Sequence, residues 1–199
     1  MAAVETSAAP VVRRHTIDQL PVIRTERLVL RLLDPERAGL MARFRSENSG
    51  RLKRWEPRRS AEYYTEGYWR LQLQYGIREF REGRSVCLTF MTSAEDAVIG
   101  VANFTNIVRG TFQACHLGYS VDGRYEGKGY MKEGLTAGLT YMLEDYGLHR
   151  IMANYLPHNE RSGALLASLG FEKEGFARSF LQIDGVWEDH VLTSLVRDN

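Results

Sequence analysis

Apolar and polar residues alternate in the middle of the chain and then change to a helical period. Between residues 117 and 121, Leu, Tyr and Val alternate with Gly and Ser, which predicts a strand. Asp122-Gly123 marks a turn. Apolar residues at 131, 135, 139 and 142 then share one face of a predicted helix that should end at Gly147. A strand, a glycine turn and a helix N-terminus form an anion site, because free N–H groups and the positive end of the helix dipole point the same way.

The same patterns predict the remaining elements. Strands are expected at residues 25–33, 84–92, 98–107, 111–121, 149–155, 171–182 and 187–196. Helices are expected from Asp34-Pro35 onward, over 60–82 and over 159–169. The helix over 60–82 offers as core residues Tyr64, Tyr68, Leu71, Tyr75 and Phe80. Residues 84–121 should form an antiparallel meander, and the order of elements is typical of an α+β fold.

Two segments lack a clear period. Residues 1–22 are predicted to be a flexible tail, which leaves a single domain over residues 23–199. Residues 51–59, RLKRWEPRR, combine several basic residues with a proline and a tryptophan. Most of this segment is expected to be a solvated loop, although basic loops also bind nucleic-acid phosphates through a salt-sensitive interaction.

Composition narrows the class of protein. The chain has 199 residues, of which 44% are hydrophobic and 26% charged, as in an ordinary globular domain. A net charge of +1 gives the whole chain no general attraction to nucleic acid or membranes. Cys87 and Cys115 indicate neither a disulfide framework nor a zinc site, so a cytoplasmic protein without a metal is expected. No apolar run approaches the length of a membrane span, so no membrane association is expected.

Two phosphate-binding patterns can be compared with residues 123–129. The loop of nucleotide hydrolases requires Gly, four residues, and then Gly-Lys-Ser/Thr. Here three residues separate Gly123 from Gly127, and Gly129 stands where the magnesium-binding hydroxyl is required. The segment that starts at Arg124, Arg-x-x-Gly-x-Gly, instead resembles the Q/R-x-x-G-x-G/A loop of the GNAT acetyltransferases, in which successive amides hold the pyrophosphate of coenzyme A.

A second motif lies about thirty residues further on. Asn159-x-x-Ser162-x-x-Leu165-x-x-x-Leu169-Gly170-Phe171 resembles the Asn-x-x-Ser…Gly-Phe segment of the ribosomal-protein (Rim) branch of that family. Further similar strings are GVANFTNIVRG (100–110), HRIMANYLPHNERSG (149–163), FEKEGFA (171–177) and DGVWEDHVLT (184–193). The resemblance covers residues 24–196, nearly the whole chain.

The resemblance implies a GNAT fold with acetyl-CoA as cosubstrate. That fold is a mixed, mostly antiparallel sheet of about seven strands, splayed at its central parallel pair, with helices on both faces. The splay between the strand at 117–121 and the strand at 149–155 would receive pantetheine, with a backbone N–H near Leu117 or Tyr119 facing the thioester oxygen. The implied coenzyme-binding residues are Leu117, Tyr119, Val121, Arg124, Gly127, Lys128, Gly129, Tyr130, Met131 and Asn159.

Two residues are candidates for catalysis by direct attack in a ternary complex. Ser162 stands where a hydroxyl could donate to the leaving thiolate; relatives that use a tyrosine instead have it where this chain has Leu166. His116 replaces a glutamate that many relatives have before the hydrophobic-Gly-Tyr triplet, and an imidazole with a pKa of about 6.5 is a suitable base. A packed, non-catalytic histidine also fits the pattern, and the competing bases are Glu56 and an ordered water chain. Cys115 should point to the opposite face and be inert.

The acceptor is implied by the resemblance alone. In Rim-like enzymes the region of Trp55 and Glu56 lies beside the acceptor site, and Asn103 and Phe104 on a neighbouring strand could line it. Strand alternation would equally make Phe104 a core residue. The implied acceptor is the α-amine of a protein N-terminus, an N-terminal alanine of a small-subunit ribosomal protein.

Two other functions stay open from the sequence. One is acetylation of a small amine such as an aminoglycoside, a polyamine or an amino acid. The other is a non-catalytic role as an acetyl-CoA-binding or ribosome-assembly factor, for which the basic segment at 51–59 would provide ribosome contacts. Whether the protein is a monomer or a homodimer is also open.

Overall fold

An eight-stranded sheet is the frame of the computed structural model, which describes residues 19–197. The strands are β1 Val22–Arg24, β2 Leu28–Arg31, β3 Val86–Thr92, β4 Val98–Val108, β5 Ala114–Val121, β6 Arg150–Tyr155, β7 Glu172–Ile183 and β8 Val186–Val196. Their order across the sheet is β1-β2-β3-β4-β5-β6-β8-β7. Every neighbouring pair is antiparallel except β5 and β6, which run parallel.

Helices cover both faces of the sheet. They are α1 Ala38–Glu47, α2 Ser49–Leu52, α3 Glu66–Arg81, α4 Tyr130–Thr140 and α5 Glu160–Ser168. Single 3-10 turns occur at Pro35–Arg37, Lys53–Trp55, Ala61–Tyr64 and Gly123–Tyr125, and α4 continues into a π-helical turn at Tyr141–Asp145. No helix within residues 19–197 is long and apolar enough to cross a membrane.

Two apolar cores pack against the sheet. The larger one joins α4 and α5 to the sheet and contains Leu135, Leu166, Phe90 and Phe104. The smaller one joins α1 and α3 to the opposite face through Met41, Phe44, Met91 and Val101, with Trp69 and Leu73 packed on it. The two faces are called the α4 face and the α3 face below.

The parallel pair at the centre of the sheet is short. β5 and β6 are paired only at Ala114–Arg150, Cys115–Ile151 and His116–Met152. Beyond these pairs β5 stays bonded to β4 as far as Val121, while β6 stays bonded to β8 as far as Tyr155. The two strands therefore diverge after three residue pairs, and a gap opens between them.

Most of the predicted elements are confirmed, including the α+β class, the meander of β3 to β5 and the splayed parallel pair. The four apolar residues predicted on one face of α4 are all buried, and Gly147 ends that helix with φ +73°. The sheet has eight strands instead of about seven because Val22–Arg24 pairs with β2. Residues 1–18 of the predicted tail lie outside the described residues.

The predicted helix over residues 60–82 is interrupted. Thr65 is extended (φ −93°, ψ 149°), and its hydroxyl accepts from Tyr68 N–H to cap α3. The inner face of α3 is then set by Trp69, Leu73, Ile77 and Phe80, at helical spacing. The prediction that Leu71 and Tyr75 enter the core is wrong, since they are 66% and 47% exposed.

The basic segment at 51–59 is more ordered than the predicted loop. Its first residues belong to α2 and to the 3-10 turn at Lys53–Trp55. The guanidinium of Arg51 bonds the carboxylate of Glu126 and the carbonyl of Val121. Lys53 and Arg58 have side chains 67% and 76% exposed.

Candidate functional site

The turn between β5 and α4 forms a glycine-rich anion loop at residues 122–130. Gly127 and Gly129 have φ of +69° and +82°, which L-residues with a side chain adopt only with strain. Gly129 is the N-cap of α4, and the helical bonding begins where Glu133 N–H donates to Gly129 O at 3.0 Å. The N–H groups that precede Glu133 in the first turn are therefore left for an anion.

Asn48, at the start of α2, holds one end of the anion loop, and sequence reasoning missed it. Asn48 is 5% exposed, its amide nitrogen donates to Asp122 Oδ2 at 3.1 Å, and its Oδ1 accepts from Gly123 N–H at 2.9 Å. Arg124 also donates to both carboxylate oxygens of Asp122, at 3.0 and 2.6 Å. Burial alone would raise the pKa of the Asp122 carboxyl, but the bonds from Arg124 and Asn48 outweigh it and lower that pKa.

The other end of the loop is held from the turn between β1 and β2. Arg27 Nε donates to Glu133 Oε2 at 2.6 Å, and another nitrogen of Arg27 donates to Lys128 O at 3.0 Å. The hydroxyl of Thr25 donates to Glu133 Oε1 at 2.6 Å, and the ring of Tyr130 lies 4.2 Å from the Arg27 guanidinium carbon. These anchors also escaped the sequence analysis, because Arg27 and Glu133 lie 106 positions apart.

Cations surround the loop. Lys128 Nζ donates to Arg124 O at 2.8 Å. Arg51 and Arg161 both pair with Glu126, and the Arg161 side chain is 70% exposed. The loop thus combines backbone donors with positive side chains, which suits a phosphate group.

The gap between β5 and β6 is bordered on the α4 face by the start of α5. Asn159 caps α5 by accepting from Ser162 N–H at 3.2 Å. Ser162 Oγ lies 2.7 Å from the phenolic oxygen of Tyr119, whose side chain crosses from β5. Burial raises the pKa of the Tyr119 phenol to about 12. A serine hydroxyl and a protonated phenol therefore lie together at the splay.

His116 lies on the α3 face, at the last residue pair before the gap. It is paired with Thr105 of β4 and Met152 of β6. Its ring is partly buried, and its Nδ1 is buried without a hydrogen-bond partner among residues 19–197. Burial lowers the pKa of this imidazole, so it is neutral at pH 7 and able to accept a proton.

A cavity of about 650 Å³ lies on the α3 face, between α3 and the strands β3 and β4. Its polar lining includes Asn103, Thr105, Thr89, Cys87 and Arg45. Asn103 is the cross-strand partner of Gly118, two residues from His116. This cavity and His116 therefore share one face of the sheet.

Arg45 and Glu56 form an ion pair between this cavity and a second one of about 220 Å³. The Arg45 side chain is 6% exposed and donates to Glu56 Oε1 at 3.0 Å and to Ser120 Oγ at 3.3 Å. Arg59 approaches the other oxygen of Glu56 at 3.8 Å. Both oxygens of the Glu56 carboxylate therefore face arginine side chains.

Trp55 lies where three segments meet. Its ring centroid is 5.5 Å from that of His158, which precedes α5. Glu56 O accepts from Asp184 N–H at 3.0 Å, and this hydrogen bond joins the β7–β8 turn to the basic segment at 51–59. Trp55 thus joins the basic segment to the entrance of α5, close to Asn159 in sequence.

The side chains of three predicted site residues are engaged in the fold and are not free to contact a ligand. Phe104 is 0% exposed in the core on the α4 face, so it cannot line an acceptor site. Met131 is 8% exposed in the same core, which leaves only its backbone N–H for the coenzyme. The side chain of Asn159 is engaged as the α5 cap. Cys115 is buried in the core as expected, and burial raises the pKa of its thiol to about 12.

Comparison with known proteins places the chain in a family. Residues 27–172 match the model of the acetyltransferase (GNAT) domain. The [Ribosomal protein uS5]-alanine N-acetyltransferase of Escherichia coli strain K12 is 49% identical over 179 residues, which cover 88% of this chain and 92% of the relative.

Solved structures agree. The ribosomal-protein-S5-alanine acetyltransferase of Vibrio fischeri has a TM-score of 0.86 at 36% identity and covers 90% of this chain and 98% of its own. Mycobacterium smegmatis RimJ, solved with a coenzyme A disulfide, has a TM-score of 0.80 at 26% identity and covers 89% of this chain and 86% of its own. The chain therefore belongs to the GNAT acetyltransferase family.

Proposed function

We propose that this chain transfers an acetyl group from acetyl-CoA to the α-amine of a ribosomal protein, and that the acceptor is an N-terminal alanine of a small-subunit protein. The reaction is supported above all by the gap that opens in β5–β6 beside the anion loop. The acceptor is supported by the 49% identity to an enzyme named for the alanine of ribosomal protein uS5. A ribosomal acceptor would place this activity in the cytoplasm.

The coenzyme's pyrophosphate fits the anion loop. The backbone N–H groups that would bind the pyrophosphate belong to the end of the loop and the first turn of α4, at Gly127, Lys128, Gly129, Tyr130 and Met131. The side chain of Lys128 adds a positive charge. Arg124 serves this site indirectly, because its guanidinium is bound to Asp122. Anchoring by Asn48 and Arg27 keeps the loop in place before the coenzyme arrives, which lowers the entropic cost of binding.

Pantetheine fits the gap as an additional strand. Backbone groups of Leu117, Tyr119 and Val121 on the side away from β4 have no β6 partner, because the ladder stops at His116. A pantetheine amide can pair with them as a peptide strand would. An N–H of the same segment would then stabilise the oxyanion of the thioester.

Direct attack needs few protein groups. The amine nitrogen bonds to the thioester carbon, the carbon–sulfur bond breaks with its electron pair going to sulfur, and the ammonium proton leaves. Ser162 donates a hydrogen bond to the departing thiolate from the start of α5. His116 accepts the amine proton directly or through water, and its lowered pKa keeps it ready at pH 7.

The acceptor would approach from the α3 face. The cavity lined by Asn103 and Thr105 lies on the same face as His116 and has room for a few residues of an extended chain. Trp55 would border the entrance beside α5. Exposed Lys53 and Arg58 offer contacts for ribosomal RNA phosphates, and such contacts would weaken with salt.

The direct test of the acceptor is intact-mass spectrometry of ribosomal proteins from cells with and without this gene product. We expect an acetyl-sized mass difference on the N-terminus of one small-subunit protein. Turnover of an aminoglycoside or a polyamine with no such difference would replace the proposed acceptor with a small amine. Coenzyme binding without turnover of any amine would point to a non-catalytic assembly factor.

A further inference from the structure

The side chain of Tyr119 is placed to act on Ser162. Tyr119 lies in the half of β5 that has left β6, and its phenolic oxygen reaches across to α5. The distance from that oxygen to Ser162 Oγ is 2.7 Å, whereas its distance to the carbonyl oxygen of Ser162 is 3.5 Å. The hydroxyl-to-hydroxyl contact is therefore the dominant one.

The two serines of α5 behave differently. Ser168 donates its hydroxyl to Leu165 O at 2.8 Å, the usual arrangement for a serine inside a helix. Ser162 Oγ bonds to Tyr119 instead. The contact with Tyr119 thus offers the Ser162 hydroxyl an alternative to bonding its own helix.

Either hydroxyl can be the donor in this contact, and burial keeps the phenol in the protonated form that can donate. Because Tyr119 is largely enclosed, the pKa of its phenol is raised to about 12, and it carries its proton throughout the physiological range. A protonated phenol donates well to a serine oxygen, and the serine oxygen has free lone pairs to accept. When Tyr119 donates, the proton of Ser162 is free for another acceptor.

We propose that Tyr119 is a positioning residue whose O–H donates to Ser162 Oγ and thereby directs the Ser162 proton toward the coenzyme sulfur. The proposal rests on the proposed role of Ser162 in acetyl transfer. No proton passes between the two hydroxyls. The sulfur takes the electron pair of the broken bond, Ser162 stabilises it by a hydrogen bond, and the amine proton leaves separately.

The first test is a double-mutant cycle of Tyr119→Phe and Ser162→Ala, assayed with acetyl-CoA and a synthetic peptide that begins with alanine. Tyr119→Phe keeps the ring, so coenzyme Kd should be unchanged while kcat falls about three- to tenfold, as expected for one hydrogen bond. Ser162→Ala should cost more, and adding Tyr119→Phe to it should cost nothing further. The control is Tyr141→Phe, which removes a phenol of similarly raised pKa, about 12, from the far end of α4 and should leave kcat unchanged.

The second test separates positioning from packing. Difluorotyrosine at position 119 has nearly the same shape, but its phenol ionises well below the pKa of tyrosine. Because a phenolate cannot donate, kcat should fall as pH rises through this lower pKa, and the wild-type enzyme should show no such fall in the same range.

Four results would overturn the proposal. A wild-type kcat in Tyr119→Phe, or losses that add in the double mutant, would show that Tyr119 does not act through Ser162. A loss in Tyr119→Phe larger than that in Ser162→Ala would make Tyr119 itself the donor to sulfur. If Ser162→Ala has a wild-type kcat, the role of Ser162 in the proposed function fails together with this proposal, whereas the other three results leave acetyl transfer intact.

Discussion

The two halves of β5 differ in what they bond to. The first half, Ala114 to His116, has β4 on one side and β6 on the other, and its Cys115 side chain is wholly buried. The second half, Leu117 to Val121, keeps β4 but has lost β6. One strand therefore supplies a completed parallel ladder and, one residue later, an incomplete one.

The incomplete half is the part of β5 at which we propose that the coenzyme binds. Backbone N–H and C=O groups in a sheet interior are normally paired, and groups left without a partner carry a free-energy cost until something bonds them. The candidate groups of the site converge there: Tyr119 and Ser162 on the α4 face, His116 at the boundary on the α3 face, and the anion loop directly after Val121. In the proposed function, a ligand completes the sheet at this break in regular pairing.

The largest effect is expected for Ser162→Ala at the edge of the incomplete half. Loss of the hydroxyl should lower kcat about 10²-fold, at the lower end of acid–base contributions, because the thiolate loses its hydrogen-bond donor in the transition state. The coenzyme Kd, measured by calorimetry, should stay within about twofold. Equal kcat values for mutant and wild type would limit the serine to a structural role in α5.

A somewhat smaller effect is expected for Gly129→Val, which alters the loop at the end of the incomplete half. A side chain at φ +82° costs about 1–2 kcal/mol, which corresponds to about 5–30-fold in coenzyme Kd if the loop relaxes away from its binding conformation. Gly147→Val is the matched control, since Gly147 has φ +73° and open space around its Cβ at the other end of α4. It should lower stability to a similar extent without changing the Kd. If Gly129→Val folds and binds the coenzyme with wild-type affinity, the coenzyme does not bind at this loop.

The smallest effect is expected for His116→Gln, at the boundary between the halves. A peptide α-amine has a pKa near 8, so part of it is already neutral at pH 7, and the loss in kcat/KM should be about tenfold or less. In the wild type, kcat/KM should fall as the pH drops through the imidazole pKa, which burial places below the ordinary value of about 6.5. The part of this fall that the imidazole causes should disappear in His116→Gln and persist in Glu56→Gln, while the fall set by the amine pKa near 8 remains in both. An unchanged pH profile in His116→Gln would show that solvent, and not His116, accepts the amine proton.

The sequence predicts the coenzyme side of this comparison better than the acceptor side. A glycine at a left-handed position and a helix cap are local requirements, so Gly127, Gly129 and Asn159 could be identified through short motifs that resemble those of the family. Asn48 and Arg27 could not, because each acts on a loop 75 or more residues away and no local pattern records such a contact.

Errors on the acceptor side have two physical origins. The cap at Thr65 sets the phase of α3, so a helix assumed to begin earlier placed Leu71 and Tyr75 on the wrong face. Alternation along β4 shows that Asn103 and Phe104 face opposite sides, but it does not show which side carries the cavity. Only the packing of α4 and α3 on the two faces decides that Phe104 is core.

Amide hydrogen exchange on β5, resolved by residue with NMR, tests the central claim most directly. With coenzyme A added, the amides of Leu117, Tyr119 or Val121 that face the gap should become protected, because pantetheine takes the place of the missing strand. The amides of the first half, already paired on both sides, should change little. Coenzyme binding without any new protection in the second half would contradict the account, since the incomplete ladder would then have no part in holding the ligand.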